Sequence, residues 1–391
     1  APMVLCLKAW KSRSLPGFYY LKMYMEKKTA ICTTTINVPD FLDGICKNAS
    51  EHNHKNISIY VIGDKKTPAE TEIFCKKIKS DYSVDIEYFS LEAQEHRLDK
   101  YKKLLNIVPY NSGSRKLLAN LMAYLDGCDT VIQIDDDNFI GTTDFIGEHN
   151  VVGENKDIKL YKSDKEWYNI YEQLIEKNNI PFFPRGFPWT KRVYERKQKI
   201  EEISETRKVA LINGLVLEDP DVDAISRLFW PIRVTGSKHD LTKNFGLFPG
   251  TWSSFNNQNT STSKDTTPVY FTPYDGGRNS DIWTSYVMCK LCEVSGDVIA
   301  FGSPYVKQYR NKHNLWVDLE DELKNNILSD YFVDLLKSID LNKSNYLDML
   351  NELLEKSLIK LDNEKNLDQS DVEYIRKYFK GYQIWSNCFT N

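Results

Sequence analysis

No run of about 18 apolar residues occurs in this chain, so no membrane-spanning helix is expected. Cysteine is sparse and scattered. Cys6, Cys32, Cys46, Cys75, Cys128, Cys289, Cys292 and Cys388 show no spacing of a small disulfide scaffold. That usage implies a reducing, cytoplasmic setting. Cys289 and Cys292 form a CxxC inside an expected helix, where packing explains them better than zinc. Several catalytic signatures are missing as well. There is no GxxxxGK[ST] loop, no GxGxxG after the first expected strand, no HExxH and no GxSxG. P-loop NTPases, ordinary dinucleotide oxidoreductases, zincins and α/β-hydrolases are disfavoured accordingly. An excess of basic charge is lacking too. The 51 Lys and Arg against 55 Asp and Glu leave a net charge of −4, so nucleic acid is not an expected partner.

What the chain does have is bulk for a large core: 391 residues, 41% hydrophobic and 13% aromatic. That suits one large α/β domain with an additional region. Residues 1–28 are basic and aromatic, with Lys8, Lys11, Arg13 and Lys22 among Trp10, Phe18, Tyr19 and Tyr20. They read as a peripheral element packed on the domain, with peripheral membrane contact as the alternative. From Thr29 the pattern alternates. Strands are predicted over 29–35, 57–62, 84–89 and up to Ile134. Helices are predicted after Pro39, over 68–80 with Ile73, Phe74 and Ile78 apolar, and over 114–125. Such alternation predicts a parallel sheet covered on both faces, with ligands beyond the carboxyl ends of its strands. Further on, 166–177 reads as helix, 181–192 as loop, 209–217 as strand, and 246–268 as a long polar loop over a site. A helix over 283–294 and a strand over 298–301 follow. Residues 319–391 read as a compact helical region. The expected organisation is 29–140 as a nucleotide-binding half, 141–318 as an acceptor half, and 319–391 as a C-terminal appendage.

Asp135, Asp136 and Asp137 close the apolar run Val131–Ile134. Two like charges about 4 Å apart cost roughly 4 kcal/mol at an effective dielectric near 20. A divalent cation removes that cost. In a strand alternate side chains share a face, so Asp135 and Asp137 converge while Asp136 points away; Asp135 and Asp136 are also candidate donor-binding residues. An all-oxygen site suits Mg²⁺ or Mn²⁺, ions that commonly bridge phosphates. Thr33, Thr34, Thr35 and Asp64 sit at neighbouring strand ends, where ligands bind in such sheets. Arg115 and Lys116 sit at an expected helix start that favours anions, although capping by Ser112 or Ser114 explains the same residues. Asp281 opens a later helix and reads either as a first-turn carboxylate or as a general base. His313 is a candidate third metal ligand.

The ordered series Val61–Pro68, Val108–Asn111 with Arg115-Lys116, Ile134–Asn138, Asp281–Trp283 and Gln308–Asn314 resembles the STELLO glycosyltransferase-like family. A more distant similarity is to the reversibly glycosylated polypeptides, the UDP-arabinopyranose mutases. It is carried by the aspartates, Arg185–Pro188, Gly214 through Ala224, Phe248-Pro249 and Asp281–Trp283. The resemblance implies a GT-A glycosyltransferase fold. It also implies a nucleotide-sugar donor, with UDP first among nucleotides, its nucleoside held by Asp64 and the strand end Thr33–Thr35, and Mn²⁺ or Mg²⁺ at Asp135 and Asp137. A glycan or lipid-linked acceptor would receive the sugar, in surface glycan or polysaccharide synthesis. Arg185 matches the arginine that becomes glycosylated in the mutases. Plant members of the first family carry a membrane-spanning segment; no apolar run of that length occurs here, so a Golgi location is not implied. Mutase activity, a non-catalytic scaffold role in a glycan-making complex, and self-association remain alternatives or additions to transfer.

Overall fold

The computed structural model describes residues 26–142, 144–192, 198–270, 277–311 and 313–390. The basic aromatic segment lies outside these residues except at 26–28, as does Lys312. Strands β1 (Thr29–Thr34), β2 (Ile57–Ile62), β3 (Asp85–Phe89) and β4 (Thr130–Ile134) run parallel in the order β3-β2-β1-β4. Every residue of β4 is buried, and all of β1 except its last. Burial on both faces is what turns these strands into continuous apolar or β-branched runs.

Five helices accompany this half. α1 (Phe41–Glu51) buries Phe41, Leu42, Ile45 and Cys46 on one stripe. α2 (Glu70–Tyr82) departs from the expected face. It buries Thr71, Cys75 and Ile78 and leaves Ile73 69% exposed. Positions 71, 75 and 78 share a helical stripe, and Ile73 lies off it. α3 (Leu91–Arg97) and α4 (Lys102–Ile107) lead to α5 (Lys116–Leu125), whose first eight residues are all buried. A helix buried all round needs cover on its outer side as well as the sheet beneath it.

The second half adds β5 (Asn138–Ile140), α6 (Phe145–His149), β6 (Asn155–Ser163), β7 (Leu174–Glu176) and β8 (Ile200–Glu218). Then come α7 (Ala224–Phe229), β9 (Val234–Ser237), β10 (Asn244–Leu247), β11 (Asn259–Ser263), α8 (Ser280–Ser295) and β12 (Val298–Gln308). β11 runs antiparallel between β4 and β8 and joins the two halves into one sheet. β6, β8, β12 and β10 pair in a closed ring.

Two expectations fail here. The polar stretch 246–268 is no loop over a site: it holds β11, in the middle of the sheet and wholly buried. Its polar side chains are satisfied locally. Thr260 Oγ1 donates to the Asn256 carbonyl at 2.7 Å, and Asn259 Nδ2 donates to the Pro304 carbonyl at 2.8 Å. Hydrogen-bonded hydroxyls and amides can be buried without large cost. Residues 166–177 are not a helix but a one-turn 3-10 segment (Ile170–Gln173) followed by β7. Trp167, Tyr168, Ile170 and Tyr171 are all buried, on more sides than one helical stripe covers.

Helices α9 (Leu315–Lys337), α10 (Tyr346–Asp362) and α11 (Gln369–Ser386) form the C-terminal appendage. They share one apolar core with the sheet, running from Ala30 and Leu117 through Trp283 to Phe332 and Trp385. Trp283 stacks on Phe332 with centroids 4.1 Å apart. No helix among the described residues is long and apolar enough to cross a membrane. Cys289 and Cys292 are buried free thiols packed in α8. The fold is thus α/β, with a Rossmann-like parallel half and a C-terminal α-helical appendage.

Candidate active site

The carboxyl ends of β1, β2 and β4 open onto a cleft of about 400 Å³. That lies within the usual range for a small-molecule site. Thr34, Thr35, Asp64 and all three aspartates of the triplet line one wall. The aspartates sit on a turn between β4 and β5, closed by the Asn138 N–H to the Asp135 carbonyl at 3.2 Å. Strand alternation therefore does not apply, and Asp136 faces the same cleft as its neighbours. Its Oδ2 lies 2.7 Å from Thr35 Oγ1 and 3.3 Å from Asn37 Nδ2.

Each aspartate has a different partner. Asp135 bonds the buried Lys116 ammonium, which also donates to the Asn257 carbonyl at 3.1 Å. Asp137 accepts from Gln308 Nε2 at 3.2 and 3.1 Å. Gln308 Oε1 in turn accepts from Gln258 and from Arg310 Nη2, both at 3.1 Å. Burial and then repulsion from Asp135 push the Asp137 carboxyl up to about 6, against the pull of Gln308 and Arg310. Burial also raises Asp136, offset in part by Thr35. Burial is the leading cause for both Asp136 and Asp137.

Asp64 is buried. It accepts the Lys65 N–H at 2.7 Å and the Ser112 N–H at 3.3 Å, so it pins the Asn111–Gly113 rim. Arg115 stands behind it, not in the cleft wall. Its Nε is 3.9 Å from Asp64 Oδ2, and its guanidinium lies over the Tyr110 ring. Burial lowers its pKa. Thr33 is wholly buried in β1, behind Thr34. Of the expected donor-binding residues, then, Thr34, Thr35, Asp64, Asp135 and Asp136 reach the cleft. Thr33, Arg115 and Lys116 support it from within.

The opposite wall comes from the second half. Arg185, Asp221, Arg278, Arg310 and His313 line it. Arg185 Nε is 3.0 and 2.9 Å from the two oxygens of Asp221, and Nη2 is 3.3 Å from Asp281. Burial opposes the charge on Arg185, but Asp221 and Asp281 outweigh it and hold the guanidinium firmly cationic. Asp221 is held well below the ordinary carboxylate range, because Arg185 and Arg310 outweigh its burial. Asp281 is raised by burial despite Arg185. It sits in the first turn of α8, accepts the Asn257 N–H at 3.2 Å, and lies behind Arg185 rather than in the wall. His313 Nδ1 is 3.4 Å from Asp318; burial and then Arg278 lower its pKa, which favours the neutral, ligand-competent imidazole.

No protein-family model matches this chain. No curated protein matches its sequence. Solved structures do match. One is glucosyl-3-phosphoglycerate synthase from Mycobacterium tuberculosis in complex with Mn²⁺ and uridine-diphosphate-glucose. It has a TM-score of 0.38 and 12% identity, over 81% of this chain and 84% of that one. The same enzyme with Mn²⁺, uridine-diphosphate-glucose and phosphoglyceric acid matches at TM-score 0.40 and 11% identity, over 85% and 87%. A mycobacterial protein matches at 0.41 and 10%, over 82% and 79%.

The wall fits Mg²⁺ or Mn²⁺ in the chemistry of its donors: three adjacent carboxylates face one cleft, and burial raises Asp136 and Asp137. Among the described residues no three His, Cys, Asp or Glu side chains are gathered as a ready-made cage. Mg²⁺ commonly binds through one or two carboxylates together with substrate phosphates and water, so a cage is not required. Sequence reasoning missed Asp221, Arg278, Gln308 and Arg310 as wall residues, although all but Arg278 lie in stretches that carry the family resemblance. Each lies 84 or more positions beyond the aspartates, and only the fold brings them to the cleft.

Proposed function

We propose that this protein is a metal-dependent glycosyltransferase that uses a nucleotide-diphosphate sugar, a UDP-sugar before others. The observation that carries this reading is the convergence of Thr34, Thr35, Asp64 and Asp135–Asp137 on one cleft at the carboxyl ends of parallel strands. Asp135 and Asp137 would hold Mn²⁺ or Mg²⁺, with His313 available from the facing wall. The bound ion would act as a Lewis acid on the departing diphosphate. Asp64 and the β1 end would position the nucleoside. Gln308 orients Asp137, and Arg310 adds positive charge beside it. Of the two carboxylates flanking Arg185, Asp281 is the better base for an acceptor hydroxyl, since its pKa is raised while that of Asp221 is lowered. Access to Asp281 runs past Arg185. The acceptor would be a surface glycan or a lipid-linked sugar.

The mutase alternative gives Arg185 a nucleophilic role. Its pairing with Asp221 and Asp281 keeps the guanidinium charged and its nitrogens without a free lone pair, which favours transfer. The test is a panel of nucleotide sugars incubated with and without Mn²⁺. Mn²⁺-dependent hydrolysis or transfer is expected for one donor. Asp137→Ala should lose activity beyond the roughly 10–100-fold typical of an outer-shell ligand change, with an unchanged circular dichroism spectrum. Full activity of that variant at saturating metal would overturn the site.

A further inference from the structure

Arg278 has no task in the reaction just described, yet the protein invests heavily in placing it. It occupies the one-turn segment Gly277–Asn279 that runs directly into Asp281, and it lines the cleft. Three residues of α9, spaced four apart, hold that turn. Asp318 lies 3.4 Å from Arg278 Nη1, Glu322 accepts from Arg278 Nε at 3.0 Å, and Asn326 accepts from Asn279 Nδ2 at 2.9 Å. The i, i+4 spacing puts all three on one helical face.

Glu322 is completely buried. A buried carboxylate is tolerated only with good partners. Here it serves Arg278 and also accepts the Ala224 N–H at 2.8 Å. Asp318 and Glu322 therefore hold the guanidinium from opposite flanks, at Nη1 and at Nε. Nη2 is engaged by neither carboxylate. A planar group held on both flanks is pre-organised to present its outer nitrogen, Nη2, to an oxyanion.

The position favours the acceptor. The aspartate wall draws its positive charge from Lys116 and, through Gln308, from Arg310. Arg278 belongs to the facing wall: its neighbour Asn279 touches Arg185 at 3.4 Å, and Asp281 follows two residues later. We propose that Arg278 binds an anionic group, phosphate or carboxylate, carried by the acceptor, and that Glu322 and Asp318 are its positioning residues. This rests on the donor reading of the opposite wall.

The test is calorimetry on the full chain, with UDP plus Mg²⁺ as the donor probe. Inorganic phosphate, and acetate for the carboxylate case, are then titrated both with and without UDP. Arg278→Gln should weaken anion binding about tenfold or more while leaving UDP affinity within about twofold. Glu322→Gln should weaken it as well, and the double variant should be no weaker than Arg278→Gln alone, since both act through one guanidinium. Asp318→Asn replaces Glu322→Gln should the latter fail to fold. Three results would overturn the assignment: neither anion binding the native protein, an anion binding Arg278→Gln equally well, or Arg278→Gln losing UDP as much as anion. Native protein that ignores UDP but binds phosphate through Arg278 would sink the donor reading alone.

Discussion

Lys116 has its ammonium inside the protein and its partner Asp135 about one-third exposed. Its other bonds, to the Asn257 carbonyl and to Asn257 Oδ1 at 3.3 Å, tie α5 to the polar segment before β11. Lys116→Met removes the donor and leaves a buried carbonyl without it. The expected cost is about 1–3 kcal/mol, measured as a shift in urea midpoint at unchanged slope. The aspartate triplet was legible in the sequence because three adjacent carboxylates after an apolar run demand an explanation. Lys116 was legible as a neighbour of the site but not in its role, since a buried lysine and a phosphate-binding lysine look alike in one dimension. Arg278 and Arg310 gave no comparable signal: what distinguishes them is which carboxylates hold them.

Among the elements, β11 diverges most from its sequence. Asn259, Thr260, Ser261, Thr262 and Ser263 read as loop by composition, yet their side chains find partners within the sheet and on α6. His149 at the end of α6 is part of that arrangement, with Nδ1 2.9 Å from Ser261 Oγ and Nε2 3.1 Å from Asn259 Oδ1. Burial drives its pKa down to about 3. The unfolded chain, with an ordinary histidine near 6.5, takes up that proton first. Stability is therefore complete above pH 6.5 and declines as pH falls towards 3. Between pH 7 and pH 5 this one residue should remove about 2 kcal/mol. His149→Gln should abolish most of that difference in paired urea titrations. Beside it, β8 carries Gly214, where a Cβ would come within 1.8 Å of the Pro304 carbonyl oxygen and 2.2 Å of Asn259 Nδ2. Since the first of these is backbone, Gly214→Ala should cost about 3 kcal/mol or more, read as a lowered melting temperature or insoluble expression. The parallel strands β1 to β4, by contrast, follow directly from β-branched runs punctuated by helices, because both faces are buried and local pattern agrees with tertiary demand.

For the molecule as a whole, the sequence showed helices at the C-terminus but not what they cover. The first eight residues of α5 have no solvent face, and Tyr124 near its end meets Phe389 edge-on at 4.7 Å. Trp283 of α8, Phe332 of α9 and Tyr378 of α11 form one aromatic cluster, each contact contributing about 0.5–1.5 kcal/mol beyond burial. Deleting residues 341–391 should therefore abolish cooperative unfolding, as judged by non-coincident fluorescence and circular dichroism melts. The same sharing means that α9 supports the cleft through Asp318 and Glu322, which hold Arg278, so the helices and the site stand or fall together.

The central claim is that the aspartate turn holds a divalent cation together with a nucleotide diphosphate. Titrating UDP into the native chain and into Asp137→Ala, each with and without Mn²⁺, tests it most directly. The account predicts heat of binding only for the native chain with Mn²⁺ present. UDP binding that is indifferent to Mn²⁺ and to the loss of Asp137 would contradict it.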